Sequence, residues 1–157
     1  MAIADFSKFP PIGHRSISRA SALIAFRDMP VREFVDAVNE ATLVTVMIES
    51  PNAVKNAEEI AAVPGVDCLL IGTNDFCAEA GIHGQYDHEI TIEAYKRVIG
   101  ACQKHKKFPG MAGIGSEAIM QMYVEMGAQL LLAGSDHSAI LSAGKARTSF
   151  LRNINNK

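Results

Sequence analysis

Long hydrophobic runs are missing from this chain of 157 residues: none of its apolar stretches exceeds about eight residues, against the roughly 20 that a membrane-spanning helix needs. Residues 1 to 25 also lack the apolar core of a secretory signal, so a cytoplasmic protein without membrane partners is expected. Neither sign of charge dominates, with 15 Lys and Arg against 17 Asp and Glu, a net charge of −2 and a pI near 6.2. Without a basic stripe, nucleic acid is not an expected partner, and a small molecule is. Cysteine is scarce. Cys68, Cys77 and Cys102 are odd in number and none belongs to a C-x-x-C pair, which excludes a disulfide framework and a zinc knuckle. All three read as reduced thiols, with Cys68 in a strand, Cys102 on an apolar helix face and Cys77 the one placed nearest a potential site.

With 48% hydrophobic and 20% charged residues, the composition suits a single globular domain over residues 1–157. Four short apolar, partly β-branched runs stand out: Leu43 to Ile48, Cys68 to Ile71, Met111 to Ile114 and Leu130 to Ala133. Each is followed by apolar residues at helical spacing: Val54, Ala57 and Ala61; Tyr95, Val98, Ile99 and Cys102; Ile119, Met122, Tyr123 and Met126; Ile140, Leu141, Gly144 and Thr148. The strands show no polar alternation, so both faces should be covered and the sheet parallel. The class is therefore α/β with βα units over residues 31–153. They begin with a helix marked by Val31, Phe34, Val35 and Val38, after a loop-rich entry over residues 1–30.

"GVDCLLIGTND" (65–75) and "GAQLLLAGSDH" (127–137) repeat one another at an offset of 62 residues, two βα units apart. Such repetition suits a (β/α) barrel built from quarters, although two buried strands that each end in Gly would also look alike. A complete (β/α)8 barrel takes about 250 residues. Four units therefore predict a partial TIM-type barrel, its second half, entered just after the fourth strand. A half barrel leaves two edges and half a core exposed, so association into a homo-oligomer is expected.

Glu49 ends the first apolar run and Asp75 lies just past the second. In neighbouring parallel strands both would reach the same carboxyl edge, where α/β proteins place their sites. A carboxylate at the mouth of a buried strand needs a partner. Two acids without His or Cys close by in sequence suit a hard divalent ion, Mg2+ or Mn2+, rather than structural Zn2+, with Co2+ also admissible. The plainer alternative makes each acid a helix cap. Between them lies "IGTND", where Gly72 lets backbone approach a ligand and the amides of Thr73 and Asn74 could face a carboxylate or phosphate. A tight turn capped by Asn74 or Asp75 would look the same.

Taken in order and spacing, "FPPIGHR", "VMIESPNAVKN", "GVDCLLIGTNDF" and "GAQLLLAGSD" resemble the carboxyl-terminal part of the metal-dependent (class II) pyruvate aldolases of the 4-hydroxy-2-oxoheptanedioate type. That group is related to macrophomate synthase and the citrate lyase β-subunit. The resemblance runs from about Phe9 to Phe150. It implies that Glu49 and Asp75 are catalytic as metal ligands, and that Gly72, Thr73 and Asn74 bind the keto-acid substrate. It also implies retro-aldol cleavage of a 4-hydroxy-2-oxo acid to pyruvate and an aldehyde, the metal acting as Lewis acid. The chain departs from the family at Thr73, where Pro is usual, and at Ser16, where Gly is. It has no segment matching the family's keto-acid Arg and acid-base His. A non-catalytic metal- or ligand-binding remnant of an aldolase barrel is the alternative, and a doubly wound phosphate-binding domain a third.

The remaining candidates read as scaffold or surface. His14 and Arg15 suit loop bracing. His137 and Asp136 could line the site, or Asp136 could cap the next helix. His83 and His88 flank "GQYD" in a polar loop of about fifteen residues, a substrate-facing lid or simply a connection. Met120, Met122 and Met126 read as helix packing, and His105 as part of a solvated helix end.

Overall fold

A computed structural model describes residues 2–18 and 22–154. Its centre is a four-stranded parallel sheet in the order β1 (Thr45–Ile48), β2 (Cys68–Gly72), β3 (Phe108–Ala112), β4 (Leu130–Leu132). The registers align Thr45 with Cys68 and Phe108, and Met47 with Leu70, Gly110 and Leu130. Because side chains alternate across a strand, these pairings sort the sheet into two faces. Val46, Ile48, Leu69, Ile71 and Met111 face the helices and join Val54, Ala57, Tyr95, Val98, Cys102 and Tyr123 in the main core. The opposite face carries Met47, Phe108 and Leu132, about half exposed at 49%, 52% and 52%.

That open face corrects one expectation. The apolar strands do belong to a parallel sheet, but among the described residues only the helix side of β1 to β3 is covered, and Leu131 of β4 on that same side is 37% exposed. Strand composition reports the environment of a closed barrel wall, and four strands make only part of one.

The helices follow the apolar periodicity with local adjustments. Helix α1 (Ala2–Ser7) adds a helical turn inside the loop-rich entry, and α2 (Val31–Ala41) buries Phe34, Val35 and Val38 as expected. With Phe9 and Ile24 they form a satellite core, locked by a reciprocal pair in which Phe9 N–H donates to Asn39 Oδ1 (2.7 Å) and Asn39 Nδ2 donates to Phe9 O (3.2 Å). The helix expected after β1 is two short ones, α3 (Pro51–Lys55) and α4 (Ala57–Ala61), broken at Asn56. After β2 the structure adds α5 (Thr73–Glu79), which shortens the polar connection to residues 80–88 before α6 (Glu89–His105). Then follow α7 (Glu117–Met126) and α8 (Asp136–Ile154).

Strand β3 begins three residues earlier than its apolar run suggests, taking in Pro109. Phe108 N–H donates to Asp67 O on the β2 side and Pro109 O accepts from Gln129 on the other, so the proline nitrogen faces β4 one step before that strand starts. No ladder bond is lost there, which is the condition for a strand proline. Helix α8 has no buried residue, and Ile140, Leu141, Phe150, Leu151 and Ile154 stand in the open. Among the described residues no helix is long and apolar enough to cross a membrane.

Candidate active site

Ser50 and Pro51 decide the position of Glu49. Pro51 opens α3 with its φ already helical, and Ser50 Oγ accepts from Ala53 N–H (3.1 Å) as the N-cap. The cap position is therefore filled by Ser50, and Glu49 is left as the last side chain of the β1 line on the open face. There it lies over Gly72: a Cβ built on that glycine would sit 2.8 Å from Glu49 Cγ, 2.9 Å from Oε1 and 3.1 Å from Met47 Sδ. The absence of a side chain at residue 72 is what makes room for the carboxylate.

Gly72 is also the N-cap of α5, at φ −82 and ψ 84, so Thr73, Asn74 and Asp75 are the first three helical residues. Neither Asn74 nor Asp75 is the cap. The opening amides of a helix lack intrahelical partners and favour negative charge nearby, which suits Asp75 in the first turn of α5. Asp75 is exposed, Glu49 half-buried, and among the described residues neither carboxylate has a hydrogen bond or ion pair.

The Thr73 side chain is turned away from this edge. Fully buried, its hydroxyl donates to Ala112 O (2.7 Å) and is 2.8 Å from Tyr95 OH, which must then be the donor of that second bond. The side chain is therefore part of the wall and offers nothing to a ligand. Asn74 accepts at Oδ1 from Tyr86 OH (2.7 Å), while its Nδ2 lies against Gly113, where an added Cβ would be 2.9 Å away. Gly113 has φ +84, so the β3–α7 turn approaches Asn74 with glycine-specific backbone. From sequence Tyr95 and Tyr123 read only as helix-face residues and Tyr86 only as part of the "GQYD" loop, while Gly113 gives no signal of its own. The available signal was a phenol inside an apolar helical stripe, at Tyr95 and Tyr123, which needs a polar partner when buried.

The other candidates fall away from the site. All three cysteines are buried; Cys77 Sγ faces Thr91 Oγ1 at 3.5 Å, and burial pushes the Cys68 thiol up and that of Cys102 to about 11. His14 Nδ1 bonds Asp5 Oδ1 (2.8 Å) and the Arg15 guanidinium lies 4.8 Å from the Phe9 ring centre, so both brace the entry loop. His88 caps α6, accepting at Nδ1 from Ile90 N–H (3.2 Å), and His83 is exposed. Asp136 is the first residue of α8 rather than its cap, and His137 follows it, exposed. Met120, Met122 and Met126 pack on the main core. His105 ends α6, but it is less solvated than expected: its Nε2 is buried without a hydrogen bond, 4.0 Å from Glu58 Oε1.

Among the described residues no three His, Cys, Asp or Glu side chains gather as a metal cage. Two oxygen donors remain, Glu49 and Asp75. Such a sparse, hard set fits an ion of the Mg2+ or Mn2+ kind, which retains waters and takes the rest of its shell from substrate oxygens.

Comparison with known proteins identifies the family and the fold. The chain is 33% identical over 146 residues to a 4-hydroxy-4-methyl-2-oxoglutarate aldolase of Hapsidospora irregularis, covering 91% of this chain and 54% of that protein. It is 31% identical over 140 residues to a 4-hydroxy-2-oxo-heptane-1,7-dioate aldolase of Escherichia coli, covering 89% and 53%. The fold superposes on the crystal structure of an HpcH/HpaI aldolase from Desulfitobacterium hafniense with a TM-score of 0.80 and 29% identity, covering 95% of this chain and 57% of that one. The chain thus spans about half the length of the relatives it matches, and its four parallel strands are part of a TIM-type barrel. Residues 2–143 match the HpcH/HpaI aldolase/citrate lyase family, and the chain belongs to it.

Proposed function

We propose that this chain carries the metal- and keto-acid-binding part of a lyase that cleaves a 4-hydroxy-2-oxo acid to pyruvate and an aldehyde. The observation that carries the reading is a pair of carboxylates, Glu49 and Asp75, at one carboxyl edge of the sheet, neither of them paired with a cation among the described residues. In this reading Glu49 and Asp75 hold a divalent ion, Mg2+ or Mn2+. Gly72 gives Glu49 its place, and the backbone of Gly72, Thr73 and Asn74 receives the substrate carboxylate at the positive end of α5. The ion supplies Lewis-acid stabilisation of the negative charge that develops on the keto oxygen as the C3–C4 bond breaks. The protein's own part is to fix the keto acid in one plane against α5 and to keep the two carboxylates free of competing cations.

Relatives named for aldol cleavage of 4-hydroxy-2-oxo acids support this class of substrate. Homo-oligomeric assembly belongs to the same proposal, because α8 and the open sheet face present apolar side chains that a second copy would cover.

The test is pyruvate release from a 4-hydroxy-2-oxo acid by the purified chain with and without added Mn2+, alongside Glu49→Ala. Metal-dependent release abolished by the substitution is the expected result. Release that survives a chelator and the substitution would overturn the metal reading. Metal binding without any release would leave a binding module, the other member of the pair of hypotheses.

A further inference from the structure

The chain has only three tyrosines: Tyr95 and Tyr86 bond Thr73 and Asn74 in the first turn of α5, and Tyr123 bonds the backbone of Tyr86. Tyr95 on α6 and Tyr123 on α7 are fully buried, with rings stacked at 3.6 Å between centres and an interplanar angle of 17°. Their hydroxyls then diverge. Tyr95 OH donates to Thr73 Oγ1, whose own proton goes to Ala112 O. Tyr123 OH donates to the backbone carbonyl of Tyr86, in the connection between α5 and α6. Tyr86, half-buried against the main core, in turn donates its own hydroxyl proton to Asn74 Oδ1. Burial pushes the Tyr95 and Tyr123 phenols well above their ordinary range, so both stay protonated donors at any physiological pH.

The two branches do different work. The Tyr95 branch ends inside the wall, on a hydroxyl with no access to a ligand. The Tyr86 branch ends on Asn74, an exposed residue one position from Asp75 and in the first turn of α5. With Oδ1 engaged by Tyr86, the Asn74 amide group is held with Nδ2 toward Gly113, and the residue cannot swing its acceptor into the mouth of the site. An acceptor there would repel an incoming carboxylate; a fixed donor side and free backbone amides would not.

We propose that Tyr86 is a positioning residue for the keto-acid carboxylate, acting through Asn74 and anchored by Tyr123. The inference rests on the reading of the α5 turn as the carboxylate cradle. It assigns Tyr86 an effect on keto-acid affinity and none on the metal, because its hydroxyl acts on Asn74 and on neither Glu49 nor Asp75.

The test compares the full chain with Tyr86→Phe, which keeps the ring and its packing, and with Asn74→Ala and the double variant. Mn2+ binding is titrated alone, and pyruvate binding is titrated by calorimetry in saturating Mn2+. Tyr86→Phe should weaken pyruvate about fivefold, the effect of one net hydrogen bond, with Mn2+ affinity unchanged and the melting temperature within about 4 °C of wild type. In the Asn74→Ala background the Tyr86→Phe substitution should have no further effect. Equal pyruvate affinity in wild type and Tyr86→Phe overturns the inference alone, as does an undiminished effect in the Asn74→Ala background. A wild-type chain that holds Mn2+ and has no affinity for pyruvate overturns the cradle reading and the inference together.

Discussion

Replacing Gly72 with alanine separates fold from site more cleanly than removing a carboxylate does. At φ −82 and ψ 84 the backbone is open to alanine, so no left-handed strain arises. The new methyl would fall 2.8 Å from Glu49 Cγ and 3.1 Å from Met47 Sδ. Met47 is about half exposed and can retreat along its flexible chain, whereas Glu49 must leave its rotamer, at about 0.5–1.5 kcal/mol. Against that, losing glycine reduces the freedom of the unfolded chain and stabilises by about 0.4–1 kcal/mol. The two terms nearly cancel, and at about 2–4 °C per kcal/mol the melting temperature should stay within about 3 °C of wild type. Metal affinity responds differently, since displaced support for a ligand typically weakens binding by about 10–100-fold. Thermal melting followed by circular dichroism, paired with Mn2+ titration read by electron paramagnetic resonance, measures both quantities. Wild-type Mn2+ affinity in a folded Gly72→Ala protein would refute the placement of Glu49 as a ligand held over residue 72.

Two further outcomes follow from the same contacts. Thr73→Val preserves shape but leaves Ala112 O without its donor and Tyr95 OH without its acceptor, both buried; the expected loss is about 2–3 kcal/mol, or about 5–10 °C in melting temperature. Adding Tyr95→Phe removes one of the two orphans and should recover part of that loss, whereas a simple sum of the two single losses would refute the shared bond. Native mass spectrometry at micromolar concentration should show a multiple of the chain mass of 16.9 kDa, and a well-behaved single chain would refute oligomerisation through α8 and the open face.

Much of the architecture was legible because parallel strands and amphipathic helices write themselves into local pattern. The runs ending at Ile48 and Ile71 mark β1 and β2 almost to the residue, and Tyr95, Val98, Ile99 and Cys102 are all buried on α6. Failures came where tertiary context replaced local preference. Pro109 reads as a breaker, and only the absence of a partner opposite its nitrogen makes it a strand residue. Helix α5 has seven residues, too few to show periodicity, and is announced only by Gly72 before it and by Gly81, at φ +73, after it. Glu49 and Asp75 could be placed from strand ends. Their freedom from caps could not, because it depends on Ser50 taking the cap of α3 and Gly72 that of α5. The tyrosine bonds join residues 12 to 37 positions apart, beyond any local signal.

The alternation of the open face sets the surroundings of the acid at residue 49. Beneath the edge lies a layer of Met47, Leu70, Gly110 and Leu130, aligned by register, with Leu70 close enough to Gly110 that an added Cβ would meet its Cδ1 at 2.6 Å. Above it the line through Gly72, Ala112 and Leu132 is small at its first two positions, so space opens next to Glu49. The carboxylate, half-buried, therefore stands at the edge of an aliphatic layer, beside the small residues Gly72 and Ala112. In the proposed reading Glu49 and Asp75 would hold a divalent ion at this edge, and the ion would supply the positive charge that the protein's own side chains, among the described residues, do not place there. Filling that space with a side chain would leave the layer intact and forfeit the room for the acid.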